Sequence, residues 1–355
     1  KNVDAAWDSI FKEIAKIKNL RDEDQDIMSK SFNKISTQLE LLKSYEAIDH
    51  FSDIFCDPSH TDEFKFLVSA PNTAVSSLFV SILTDICEQQ TIIDVIKKSE
   101  FLYKAISACL PIDENNIQTD AQLLYNTFDL ISIILDGCED APEFANTLLK
   151  NTDILTLIKR QLQRDEFDDN VLAATETLAI LLQLQPEFIT TSHTETAGKS
   201  EEEDEDADSI EGLLNLLLRF VVNERNPKSA NEDEAAHNGF NAITLFALNE
   251  KGADMLAKQQ GIEMLLSCWS SKVKTAPLAI KSIETALAAS TPCCIQFIQA
   301  NGLKKLSKTF NSADTLTSKS KSVWCIGILD ALLTMLPLPE QGCELDPNGE
   351  CFIKV

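Results

Sequence analysis

His50, Cys56 and His60, with Asp53 and Asp57 beside them, are the residues of this 355-residue chain best suited by type to hold a metal. A zinc site draws on four well-placed thiolate, imidazole or carboxylate ligands. This set has no recognised ligand spacing, so no metal is expected. The paired thiols Cys293 and Cys294 precede an apolar helical run and read as core or helix start. His193 lies in a stretch without apolar periodicity and His237 precedes a helical run, so both read as solvated or capping side chains and not as general bases. The chain holds no Cys-x-x-Cys, no His-Glu-x-x-His, no glycine-rich phosphate loop and no Gly-x-Ser-x-Gly elbow. The acidic turn ELDPNGE near the end lacks the alternating ligands of a calcium loop. The expectation is a protein that is not an enzyme, with no cofactor and no small-molecule substrate.

Charge narrows the partners. The chain carries 31 Lys and Arg against 56 Asp and Glu, a net charge of −25. That field repels a phosphate backbone, so direct nucleic-acid binding is not expected. Eight acids fall between Ser200 and Glu211, and without them the charge still stands at −17. The run reads as a solvated loop, and Glu201, Glu202, Glu203, Asp204, Glu205 and Asp206 could also draw in a basic partner. The ten cysteines are scattered, mostly through helical patterns, with no disulfide framework, which points inside the cell. No secretory core opens the chain. Its most apolar stretch, GLLNLLLRFVV, is short and broken by Asn215 and Arg219, so no membrane span is expected.

The elements that carry these residues are helical. In the stretch from Phe167 to Phe188, Val171, Ala174, Leu178, Leu181 and Leu182 recur at three- and four-residue steps along one helical stripe. Asn170 stands where an N-cap belongs and Pro186 where the helix must stop. The same phrase returns from Ala74, Ala121, Ala235, Ala276 and Ser320, in most cases followed by a polar break and a second amphipathic helix. Gly261 and Gly302 are equivalent points 41 residues apart, near the ~40–47 residue period of armadillo and HEAT repeats. The earlier equivalents, Ser99, Thr152 and Ser209, lie 53 and 57 residues apart, which implies inserted loops. With only 10 Gly and 11 Pro there is little material for hairpin turns.

The predicted fold is therefore all-α, an armadillo/HEAT-like α-solenoid of about five or six repeats. Residues 1–66 form an N-terminal helical cap, 67–336 the repeats with an acidic loop at about 191–209, and 337–355 a tail. In such repeats the third helix lines the concave face, so polar residues in apolar third helices are the binding candidates. Alignment of the apolar steps puts Glu176 and Asn241 there, with Asp168 and Asp169 at the head of the same helix as Glu176. The alternative is a place at a helix seam or on an outer face. The Trp-x-x-x-Asn ladder of importin-type proteins is absent, since Trp269 is followed at that distance by Val273 and Trp324 by Ile328.

FDDNVLAATETLAILLQ resembles the family of β-catenin-like protein 1, nuclear armadillo proteins of the spliceosome. APNTAVSSLFVSILTDI is similar to that family's phrase opening an early repeat. YNTFDLISIILD, GADMLAKQQGIEMLL and CCIQFIQANGLKKL follow in the family's order, so the likeness spans about Phe32 to Phe310. The family continues with further helices, whereas the pattern here dissolves after Pro337, and this chain starts at Lys1 without the family's basic N-terminal region. The chain is then part of a protein or a shortened member.

The resemblance implies a nuclear, non-enzymatic protein associated with the Prp-nineteen ubiquitin-ligase complex and a Myb-like splicing factor. It further implies recognition of basic, nuclear-localisation-type segments. A net charge of −25 suits such partners, because opposite charge speeds encounter. The other class that fits an acidic helical chain is a cytosolic armadillo nucleotide-exchange factor for an Hsp70-type chaperone, which would clasp a folded lobe and need no groove for basic peptides.

Overall fold

The structure, a computed structural model, describes residues 2–21, 24–44, 48–87, 89–110, 120–191, 209–311 and 319–336. His193, the acidic run Glu201–Asp206 and the tail 337–355 lie outside the described residues. Among those described, every regular element is a helix. The chain divides into two compact units, Lys1–Leu184 and Gln185–Val355.

The first unit opens with α1 (Asn2–Ile17) and α2 (Gln25–Ser44). Three triplets follow: α3 (Ile48–Phe55), α4 (Thr61–Val68) and α5 (Thr73–Ile86); α6 (Gln90–Lys98), α7 (Phe101–Ala108) and α8 (Ala121–Gly137); α9 (Ala141–Asn151), α10 (Ile154–Leu162) and α11 (Asp169–Leu184). The second unit holds α12 (Phe188–Thr191), α13 (Ile210–Asn223) and α14 (Ala230–Ala247); α15 (Glu250–Lys258), α16 (Gly261–Cys268) and α17 (Ala276–Ala289); α18 (Thr291–Gln299), α19 (Gly302–Phe310) and α20 (Lys319–Met335). Each triplet ends in its longest helix, and these long helices stack side by side. In the first unit α2 packs on α5, α5 on α8 and α8 on α11; in the second α14 packs on α17 and α17 on α20. This is the armadillo-like arrangement that the repeated phrases predict.

Sequence chemistry sets the helix starts. The side chains of Asn72, Asp120, Ser209, Asn249 and Ser290 each accept from backbone N–H groups of the following turn, which removes donors a helix cannot pair internally. The α14 helix begins five residues before the apolar phrase at Ala235. Ser229 accepts from Glu232 N at 3.1 Å while the Glu232 carboxylate turns back to the Lys228 N–H, so a capping-box pair extends the helix through a charged turn. The cap of α11 also differs from expectation. Asp168 Oδ1 accepts from Asn170 N at 3.1 Å and Val171 N at 3.2 Å, whereas Asn170 is buried with its Oδ1 unpaired.

The stacked helices carry small polar groups on their flanks. Asn126 Nδ2 donates to the carbonyl of Ser77 at 2.9 Å and to its hydroxyl at 3.1 Å, linking α8 to α5. Ser132 and Thr177 hydroxyls meet at 3.2 Å between α8 and α11, and Thr244 and Ser282 at 2.9 Å between α14 and α17. Small side chains at these flanks allow close approach, and their partners satisfy groups that would otherwise be buried unpaired. At the N-terminal end an aromatic cluster forms the core. Trp7 stacks on Phe51 at 4.9 Å, Phe64 on Phe79 at 5.7 Å, and Phe55 tilts against Phe101 at 5.4 Å. Glu13 ties α1 to α2 through Lys34 at 2.9 Å, and the Lys34 bond first, with the Ser31 hydroxyl nearby, holds its carboxyl down at about 2.

The junction between the first two helices of a triplet explains two glycines. Glu100, Gln260 and Asn301 occupy the left-handed region at φ 60°, 56° and 61°, each immediately before a second helix. The equivalent points are thus Phe101, Gly261 and Gly302, and Ser99 falls two residues early, as the C-cap of α6. Glycine stands after the left-handed residue, where it permits contact. A Cβ on Gly261 would lie 2.6 Å from Leu256 Cδ1 and 2.9 Å from the Leu256 carbonyl oxygen. Since a backbone atom cannot swing aside, Gly261→Ala is expected to lower stability by about 1–3 kcal/mol, measured by urea unfolding. An unchanged midpoint would show that α15 and α16 do not pack this closely.

Candidate functional site

The outward strip of the stacked helices in the first unit is acidic. Asp85 on α5 and Asp129 on α8 act on each other across the seam, and Tyr125, one turn before Asp129, is influenced by Asp129, Asp169 and Glu176. Three neighbouring helices therefore contribute to one row. Asp85, Asp169 and Glu176 are exposed, Asp129 is half-buried, and Tyr125 stands 37% exposed among them. Burial, reinforced by Asp85, pushes the Asp129 carboxyl above its usual range. Burial and the three surrounding acids push the Tyr125 phenol up in the same way. A cation with an aliphatic stem fits such a row, since the carboxylates attract the charge and the aromatic face accepts it. Lys43 of α2 reaches the neighbouring turn of α5, where its Nζ donates to the Ser81 hydroxyl at 2.6 Å, one turn before Asp85.

The structure separates the sequence candidates. Asp169 and Glu176 belong to the row. Asp168 sits beside it but caps α11 and pairs with Arg164, so its carboxylate already has structural work. Asn241 is half-buried in the second unit in a groove of 260 Å³ shared with His237, Thr244, Leu278 and Lys281, which is not acidic. Asp85, Tyr125 and Asp129 were missed. Asp129 interrupts the apolar run of YNTFDLISIILD, so its polarity within an apolar third helix could have marked it. Asp85 and Tyr125 gave none, because nothing in one helix shows which residue of the next it faces.

Most of the described cysteines, and His60, are placed as packing groups, while Cys56 is exposed. Cys293 and Cys294 are fully buried, and desolvation pushes their thiols to about 12 and about 11. The His60 ring stacks on Phe11 at 4.2 Å. His237 is exposed, with Nδ1 2.8 Å from the Asp233 carbonyl oxygen. Among the described residues no three His, Cys, Asp or Glu are grouped to hold a metal ion, and no helix is long and apolar enough to cross a membrane. One polar cluster was not foreseen: Lys97 Nζ lies 3.1 Å from Cys138 Sγ, and both contact the Asp140 carboxylate. Burial first, then Asp140, pushes the Cys138 thiol up, so it stays protonated and serves as a donor to Asp140 and not as a nucleophile.

The Asp129 shift has a stability consequence. A carboxyl whose folded pKa is raised favours the folded state at low pH, and this contribution is lost as pH rises through its folded pKa. Asp129→Asn is therefore expected to raise the melting temperature at pH 7 by about 1–3 °C, the gain vanishing in acid where Asp129 is protonated. Scanning calorimetry at both pH values checks it; a loss at pH 7 would mean the carboxylate is paired.

The helical stack is shared with other proteins of known structure. One engineered protein covers 78% of this chain and 97% of its own at a TM-score of 0.54 and 13% identity, a likeness of fold alone. Sequence relatives are more telling. A β-catenin-like protein 1 homolog of Schizosaccharomyces pombe is 24% identical over 330 residues, 88% of this chain and 52% of the relative. Mouse β-catenin-like protein 1 is 25% identical over 255 residues, 69% of this chain and 42% of its own. The chain thus spans about half the length, or less, of these relatives. The profile of a family described as "Catenin-beta-like, Arm-motif containing nuclear" matches residues 25–342, covering α2 through α20 and every residue of the acidic row. On that match, and on the helix triplets that carry it, this chain belongs to the catenin-β-like family of nuclear armadillo-motif proteins.

Proposed function

We propose that this chain acts as a nuclear, non-enzymatic scaffold of the pre-mRNA splicing machinery that holds Lys/Arg-rich segments of its partners on the acidic row of its first unit. The observation that carries this reading is the row itself. Asp85, Asp129, Asp169 and Glu176 converge from three helices around a half-exposed tyrosine, and burial with the neighbouring acids pushes the Asp129 carboxyl and the Tyr125 phenol up. A bound basic segment relieves that repulsion. The family resemblance supplies the proposed partners, a Myb-like splicing factor and the Prp-nineteen ubiquitin-ligase complex, and the family's description as nuclear supports the location. Glu201–Asp206 would add long-range attraction without adding shape.

Two measurements test this. A fluorescent Lys/Arg-rich peptide from a Myb-like splicing factor should bind the chain and lose about tenfold in affinity between 50 and 300 mM salt, because salt screens exposed charges. Glu176→Lys should cost about another tenfold, equal to ~1.4 kcal/mol. Affinity indifferent to both changes would remove the row from consideration. Affinity purification from nuclear extract should recover splicing components; recovery of an Hsp70-type chaperone in their place, with faster nucleotide release from it, would favour the exchange-factor reading.

A further inference from the structure

A cleft of 680 Å³ in the second unit has the opposite charge to the rest of the molecule. It is bounded by the α16–α17 connection, the first turn of α17, one side of α19 and the start of α20, and its described lining residues include Lys274, Lys305, Lys308 and Lys321 and no acid. In a chain where Asp and Glu outnumber Lys and Arg by 56 to 31, four lysines on one cleft with no carboxylate among the described lining residues is a marked local departure. None of the four pairs with a carboxylate among the described residues. Lys305 Nζ donates to the Trp269 carbonyl oxygen at 3.0 Å, Lys274 Nζ donates to the Pro227 carbonyl oxygen, and Lys308 is exposed. Like charges held together raise each other's energy, and an anion between them would lower it.

The geometry also says what kind of anion fits. Ala276 and Pro277 bring the N-terminal turn of the fourteen-residue α17 to the cleft, but its backbone donors are spent, Ala276 N on the Val273 carbonyl oxygen at 3.3 Å and Leu278 N on the Thr275 carbonyl oxygen at 3.0 Å, so the lysines carry the charge of the cleft. The cationic groups are ammoniums, which act as point charges, and the lining contains no guanidinium fork of the sort that matches a planar carboxylate. A phosphoryl group, with about −1.5 to −2 charges and three acceptor oxygens, can be shared among ammoniums that approach from separate elements. The cleft also has an apolar side. Val273, Pro277 and Ile280 line it, and the Trp269 indole beside them is fixed by an Nε1 bond to the Thr309 hydroxyl at 3.0 Å. An extended polyanion such as RNA would have to lie along a surface of net charge −25, whereas a single modified side chain meets only the local field.

We propose that this cleft docks a phosphorylated serine or threonine segment of a protein partner, with the phosphoryl group among Lys274, Lys305, Lys308 and Lys321 and a neighbouring apolar residue against Ile280 and Pro277. The site is separate from the acidic row and does not depend on it. A chain with both surfaces can hold a basic segment through one unit and a phosphorylated segment through the other.

The test uses the full chain and an arrayed library of phosphoserine and phosphothreonine peptides with apolar neighbours, each printed beside its unphosphorylated twin. Phosphopeptides should be retained, and in solution the twin should bind at least tenfold more weakly. Lys308→Glu with Lys321→Glu should remove that preference, while the milder Lys308→Gln with Lys321→Gln should weaken it. In all variants, affinity for a Lys/Arg-rich peptide should be unchanged, which also reports that the protein is folded. The proposal is overturned if twins bind equally, if no phosphopeptide is retained, if the charge-reversed variant keeps the preference, or if oligouridine binds the cleft more tightly than the best phosphopeptide.

Discussion

Each long helix inside a row is covered on two flanks as well as underneath, and this packing organises the protein. A triplet alone covers only the underside. The flanks of α8 are met by α5 and α11, and those of α17 by α14 and α20, so no long helix within a row is stable without its neighbours. What remains is one outward strip per helix. Evolution has no freedom to place binding chemistry on the buried sides, where Leu, Ile and Phe at 0–3% exposure leave no room for charge. The acids of the first unit sit on that strip because it is the surface left after packing is satisfied.

Much of this was legible in the sequence because packing repeats. The apolar stripes from Ala74, Ala121, Val171 and Ala276 gave the long helices, and the recurrence of the phrase gave their stacking. Local competition was harder to read. Asp168 and Asn170 can both cap α11, and the choice fell to Asp168, which could reach two N–H groups and Arg164 at once. The start of α14 was masked by a charged turn that a capping pair stabilises without any apolar residue. Least legible were contacts between helices. Asp85 and Asp129 stand 44 residues apart, and their proximity depends on how deeply α5 and α8 interlock, which is set by side chains such as Ser77 and Asn126 that look unremarkable in a single chain.

Charge is distributed with the same economy. Burial is the largest cause that raises the carboxyls of Glu284, Glu224 and Asp129, with Glu232 adding to it at Glu224 and Asp85 at Asp129, so several acids sit where desolvation makes ionisation costly. Glu284 is pressed under Gly327, where a Cβ would come within 2.5 Å of its carboxylate oxygen. A chain at −25 gains solubility from its surface, yet these half-buried positions cost stability. The buried cysteines follow the opposite logic: thiols pushed as high as about 12 behave as small apolar groups with a weak donor.

The seams between the long helices have a mechanical consequence. Three of them are fastened by a short polar contact, Asn126 to Ser77, Ser132 to Thr177 and Thr244 to Ser282. Such a fastening resists sliding, since a shift of one helical turn, about 5.4 Å, would strand a buried amide or hydroxyl without a partner. It resists tilting far less, because the aliphatic contacts on either side can lengthen or shorten slightly while the polar bond holds. The long helices joined in this way are therefore fixed in register along their length but freer in the angle between them.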